Sequence, residues 1–175
     1  MKPVRIAIAL VLPESVAISL TKIQKEHSLP PWSPKIDLHI TLVSPFTTHH
    51  TVDMIVGRMA LIAKNRKSFH VILDGLGRFD NEESFIFAQV TPNEHLKRLA
   101  DDAMAPLLDV RQHRSRPFVP HVTLAAAASR QTVDGYFKRL VGTAIHEEFT
   151  CDRFALLQLD ETAKSWKVAN EFIFN

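Results

Sequence analysis

Cysteine occurs once in the 175 residues of this chain, as Cys151. A lone thiol cannot close an internal disulfide, which excludes a disulfide-stapled scaffold and suits a reducing compartment. Linker-like Pro/Gly/Ser runs and low-complexity tracts are missing, and 46% hydrophobic residues suffice for a substantial core, so one domain spanning residues 1–175 is expected. No apolar stretch approaches the ~20 residues of a membrane-spanning helix. Lys2 and Arg5 precede the apolar run Ile6–Leu12 as a secretory leader would require, but Pro13-Glu14 cuts that run short. An N-terminal strand in a cytoplasmic protein is the better reading. A formal net charge of +2 is too small to demand a nucleic-acid partner.

What the chain does have is a repeated pattern. His39-Ile40-Thr41-Leu42 recurs as His121-Val122-Thr123-Leu124. His49-His50-Thr51 and His113-Arg114-Ser115 also fit His-x-Thr/Ser, but both lie in polar or basic sequence without alternation and read as loop coincidences. Around the other two, side chains alternate as in a strand. Leu38, Ile40 and Leu42 fall on one face and His39 and Thr41 on the other; Val122 and Leu124 divide in the same way from His121 and Thr123. A single copy reads equally well as a hydrogen-bonded, half-buried strand residue. Two copies in matching context point to paired function.

The rest of the chain reads as strand Val4–Leu12, helix Pro13–His27, the first motif strand, helix Thr51–Arg66, and strands Ser68–Leu76 and Ser84–Val90. Thr91-Pro92-Asn93-Glu94 predicts a helix start with Thr91 as cap and proline at the first helical position, the helix running to Leu108. Ser129 caps a helix to Leu140, and strands follow over Glu148–Leu159 and Trp166–Phe174. Asp160 to Lys164 reads as the turn between those last strands. The pattern predicts an α+β fold with internal duplication: a bilobal, pseudo-symmetric arrangement of two antiparallel sheets facing a central cleft, with helices on the outer faces.

The segments Leu38–Phe46 and Arg116–Ala125 resemble the two signature segments of the two-histidine (2H) phosphoesterase superfamily, most closely its 2′-5′ RNA ligase or RNA 2′,3′-cyclic phosphodiesterase branch. Ile6–Leu12 with Pro13-Glu14 is similar to that family's opening strand, Phe69–Phe87 to its central strand pair, and Trp166–Phe174 to its closing strand. Where RNA-specific members place a basic residue after the second motif, this chain has Ala125-Ala126-Ala127-Ala128, with Arg130 arriving later. The resemblance implies His121 as general base and His39 as general acid.

Two histidines suit phosphodiester cleavage because imidazole titrates near pH 6.5 and can either take or give a proton, while Thr41 and Thr123 hydroxyls can donate to phosphate oxygens. The expected reaction is metal-independent hydrolysis of a 2′,3′-cyclic phosphate on an RNA end or small nucleotide, with 2′-5′ ligation as its reverse. ADP-ribose cyclic phosphate or 2′-5′-linked oligonucleotides are alternative substrates, and a non-catalytic RNA- or nucleotide-binding module is the rival from another class. Arg111, Arg114 and Arg116 could grip a phosphate backbone or form an ordinary solvated cluster. Arg130 joins them as a substrate-binding candidate. Phe46, Phe118 and Trp32 are candidates for base stacking, against the prior that most phenylalanines are core. No cofactor and no metal are expected, since the motif strands carry no carboxylate or cysteine at ligand spacing; a zinc site from His39, His49, His50 and His121 is the minor alternative. No obligate protein partner is implied, and a monomer away from membranes is the expectation.

Overall fold

The computed structural model describes residues 3–30, 36–79, 84–107, 117–127 and 129–175. The chain runs β1 (Val4–Val11), α1 (Glu14–Glu26), β2 (His39–Thr48), α2 (Val52–Lys64), β3 (Phe69–Phe79), β4 (Ser84–Val90), α3 (Glu94–Met104), a 3-10 turn (Ala105–Leu107), β5 (His121–Ala127), α4 (Arg130–Leu140), β6 (His146–Cys151), β7 (Arg153–Asp160) and β8 (Ser165–Ile173). The strands order as β6-β3-β4-β5-β2-β1-β7-β8, and every pairing is antiparallel. The expected pair of sheets is therefore two four-stranded halves of one sheet, curled into a half-barrel. They meet where β2 touches β5, at the bridge Ile40↔Val122.

Two of the helices cross between the halves. The helix α1, which follows β1 in one half, packs on β5 and β6 of the other; α3, which follows β4, packs back on β2. On α1 the buried positions Val16, Leu20 and Gln24 recur every fourth residue, one stripe of an amphipathic helix. Gln24 is a polar residue on that apolar stripe. Ile55, Met59 and Ala63 of α2 and Leu96, Leu99 and Ala103 of α3 bury their stripes against the same core as Ile6, Ile8, Ile40, Ile86 and Val122. On the opposite face of the sheet a smaller cluster, Ala7, Ala9, Ala155 and Leu157, carries Val11, Ile36 and Trp166 at its edge.

Local details depart from the sequence expectation for identifiable reasons. The start of α3 is capped by Asn93, whose side chain accepts from Leu96 N–H at 3.0 Å, two residues later than Thr91. Thr91 still belongs to the sheet, its N–H donating to Ile72 O at 2.9 Å, and the helix begins only at Glu94. Ser129 does cap α4, and Thr51 caps α2. The expected strand Glu148–Leu159 divides at Asp152 into β6, which pairs with β3, and β7, which pairs with β1. One apolar alternation thus serves both half-sheets. The turn after β7 is held by Asp160, which accepts from Thr162 and Ala163 N–H and from Lys167 Nζ; those bonds stabilise the carboxylate and hold its pKa down to about 2.

Candidate active site

Burial along the two motif strands follows one rhythm. In both, the histidine and threonine are half-buried, the residue between them is fully buried, and the leucine and its successor are buried together: Leu42 with Val43, and Leu124 with Ala125. Two consecutive buried residues break strand alternation, and the pairing explains it. The partners of β1 step from Ala9↔Thr41 to Ile8↔Val43, skipping Leu42, and those of β4 step from Phe87↔Thr123 to Ile86↔Ala125, skipping Leu124. The motif leucine is a β-bulge in each strand. A bulge bends its strand and re-aims neighbouring side chains, a device common beside active sites.

Ile40 and Val122 point into the core, so the residues flanking them point to the other face. Continuing the antiparallel register one step on either side sets His39 across from Thr123 and Thr41 across from His121. Directly opposed residues stand about 5 Å apart and diagonal ones about 7–8 Å. In that register the two imidazoles fall on one diagonal and the two hydroxyls on the other.

Each ring is oriented by the same local bond. His39 Nδ1 lies 2.7 Å from Asp37 O, and His121 Nδ1 lies 2.7 Å from Val119 O. A carbonyl can only accept, so Nδ1–H donates in both, and in the neutral ring Nε2 is the bare nitrogen. Burial pushes the pKa of each ring below the ordinary 6.5; for His39 the neighbouring His121 adds to this, while the Asp37 carbonyl and carboxylate oppose it. The Val119 carbonyl opposes the shift for His121.

Their surroundings differ. His121 is walled by Phe79, edge-on with ring centroids 5.1 Å apart, and by Phe87, also at 5.1 Å. Phe87 lies over Gly77, where a Cβ would come within 2.2 Å of its ring. The bare backbone at Gly77 is what admits the aromatic wall. His39 instead borders an open cavity of about 440 Å³, shared with Thr123. Gln24, Phe79 and Phe87 escaped the sequence analysis. The signal for Gln24 was a polar residue on an apolar helical stripe, and for Phe87 the alternation of Phe85-Ile86-Phe87.

The other candidates fall elsewhere. Phe46 pairs with Ile6, and both Phe46 and Phe118 pack against the main core on the helical side, so they serve packing. Arg130 is exposed at the first position of α4, the helix that follows the end of β5 opposite to His121. Arg111, Arg114, Arg116, Trp32 and the His113 motif lie outside the described residues. His49 and His50 follow the opposite end of β2 from His39, with His50 N–H bonded to Thr48, so the four-histidine zinc arrangement does not assemble. Among the described residues no three His, Cys, Asp or Glu side chains cluster as metal ligands, and no helix is long and apolar enough to cross a membrane.

The sequence profile of the 2′-5′ RNA ligase superfamily matches residues 12–163. This chain belongs to that superfamily, within the two-histidine phosphoesterases. A curated relative from Oceanobacillus iheyensis, named "Putative phosphoesterase OB1230", is 30% identical over 137 residues, 77% of this chain and 78% of the relative. Among solved structures, LigT of E. coli in its apo form superposes with a TM-score of 0.72 at 17% identity, covering 100% of this chain and 99% of LigT. LigT complexed with 3′-AMP gives 0.68 at 19%, covering 99% of each. At such identities the likeness concerns the fold, which is the LigT-type fold of the superfamily.

Proposed function

We propose that the protein is a metal-independent phosphodiesterase that opens 2′,3′-cyclic phosphates at an RNA end or on a small nucleotide. The observation that carries this reading is the pairing of Ile40 with Val122: each is fully buried and flanked in its own strand by a half-buried histidine and threonine, and each histidine keeps a bare Nε2. Membership of a phosphoesterase superfamily supports it, as does the binding of 3′-AMP by the structurally similar LigT.

In the proposed reaction the phosphate lies over the Ile40–Val122 bridge. His121 Nε2 takes a proton from water as its oxygen forms the new bond to phosphorus. The bond from phosphorus to O3′ breaks on the opposite side, and protonated His39 gives its Nε2 proton to O3′, leaving a 2′-phosphate. Thr41 and Thr123 donate to the non-bridging oxygens. The buried rings of the free protein favour neutrality, so His39 takes its second proton from solvent as the substrate binds: an anionic phosphate between the rings raises the pKa of the imidazole it contacts. With the 5′-hydroxyl of a second chain in place of water, the same steps join the two ends: its oxygen bonds to phosphorus as the bond to O3′ breaks, leaving a 2′-5′ phosphodiester.

The test is a panel of nucleoside 2′,3′-cyclic monophosphates, cyclic-ended oligonucleotides, 2′-5′ dinucleotides and ADP-ribose cyclic phosphate, assayed with chelator present. Turnover of the cyclic phosphates to 2′-monophosphates is expected. RNA binding that is salt-sensitive but without turnover of any member would replace this reading with a non-catalytic module.

A further inference from the structure

The cavity beside His39 is built around a buried amide. It is lined by Glu14, Thr21 and Gln24 of α1, by Ile36 and Asp37, and by His39 and Thr123. Gln24 is 8% exposed, and its Nε2 donates to Leu124 O at 2.7 Å. That carbonyl needs a donor because Leu124 is the bulge residue of β5, left out of the ladder to β4. Since Leu124 O can only accept, the amide must present nitrogen to it, and its orientation is settled by chemistry. Gln24 lines the cavity, and with Nε2 committed to Leu124 O, its Oε1 is the amide atom with which it can accept a hydrogen bond there.

The charge of the cavity narrows what it can hold. Glu14 and Asp37 are acidic, Thr21 and Gln24 are neutral, and no lysine or arginine is among the described lining residues. These carboxylate, hydroxyl and amide oxygens accept from groups rich in N–H or O–H. At about 440 Å³ the space falls in the range of ordinary small-molecule sites. It opens onto His39, the histidine assigned above to the ribose oxygen, so the nucleoside attached to that oxygen is the part of the substrate that reaches it.

We propose that this cavity is a nucleobase subsite in which Gln24 Oε1 accepts a hydrogen bond from an amino group of the base. The proposal rests on the cyclic-phosphate reading for its substrate class, but Gln24 acts on the base and takes no part in proton transfer. A site built to accept from an amine discriminates against an analogue that lacks it, because the buried oxygen is then left unpaired.

The experiment compares adenosine 2′,3′-cyclic monophosphate with purine riboside 2′,3′-cyclic monophosphate, which lacks only the amino group. With wild-type protein, kcat/KM is expected to be about tenfold or more higher for the adenosine compound. The ratio should fall close to one in Gln24→Met. Should that variant fail to fold, Gln24→Lys keeps a donor for Leu124 O while removing the acceptor, and should show the same collapse. In parallel, calorimetry measures wild-type binding of adenosine 2′-monophosphate and purine riboside 2′-monophosphate, which require no turnover. Equal affinity and equal kcat/KM for the paired compounds would overturn the subsite, and so would a preference that survives in a folded Gln24 variant. Absence of turnover with the binding preference intact would instead overturn the proposed reaction and leave the subsite standing.

Discussion

Ile40 and Val122 face one another across the seam between the half-sheets, and both are fully buried. Because this pair lies at the centre of the pseudo-symmetry, the residues on either side of each partner are brought to the opposite face in crossed order, histidine against threonine. Neighbouring motif residues depend on this pair for their spacing. Ile40→Ala should destabilise the fold by about 2–5 kcal/mol, the usual range for emptying a core isoleucine site. Chemical denaturation should register it as a lower midpoint with unchanged slope.

His39→Gln and His121→Gln should each lower kcat by roughly 10²-fold or more while leaving the fold intact, since each removes one positioned acid or base. The measurement is steady-state turnover of a 2′,3′-cyclic phosphate together with circular dichroism. Near-wild-type activity in both single variants would eliminate the histidine site.

The hydroxyls predict a milder loss. Thr41→Val and Thr123→Val keep strand propensity and shape but remove the donor to phosphate, and each should cost about 10- to 10³-fold in kcat. A loss confined to KM would mean that the hydroxyls bind the ground state alone.

Both imidazoles are held below their ordinary pKa of 6.5, chiefly by burial. The kcat/KM of the free protein should therefore retain activity at pH values below 6.5, where an exposed histidine base is already protonated, with apparent pKa values belonging to the pair. Stability follows the same sign. Below 6.5 the unfolded chain binds protons that the folded one resists, so this contribution is full above 6.5 and is lost as pH falls through the folded values. Urea midpoints measured across that window should flatten in the His39→Gln/His121→Gln double variant.

Gly77→Ala tests the aromatic wall. The new Cβ would overlap the Phe87 ring at 2.2 Å and drive it toward His121. Overpacking of this kind costs about 1–3 kcal/mol. Adding Phe87→Leu should recover part of that stability, and the non-additivity is read from a double-mutant cycle in thermal unfolding.

Much of this was legible in the chain because strands and helices announce themselves by period. Alternation around His39 and His121 put imidazole and hydroxyl on the face opposite the aliphatic stripe, and Ser129 and Thr51 marked helix starts by their capping chemistry. Asn93 was hidden behind the equally plausible Thr91, since only the bond from Thr91 N–H to Ile72 O, made across the sheet, delays the turn. The split at Asp152 was hidden for a similar reason. The alternating residues on either side of it are apolar in the same way, and the change of partner from β3 to β1 leaves no mark on local periodicity.

The sequence by itself determined which residues are proposed to carry the chemistry, because the identity of a side chain and its phase along a strand are local properties. Only the tertiary structure decided their company: the crossing of His39 and His121 over the Ile40–Val122 bridge, the Phe79 and Phe87 wall on one side, and the Gln24 amide on the other. Those contacts join residues far apart in the chain, and they arise because bulges at Leu42 and Leu124 bend the strands where the two halves meet, a geometry set by pairing partners that no stretch of the chain specifies alone.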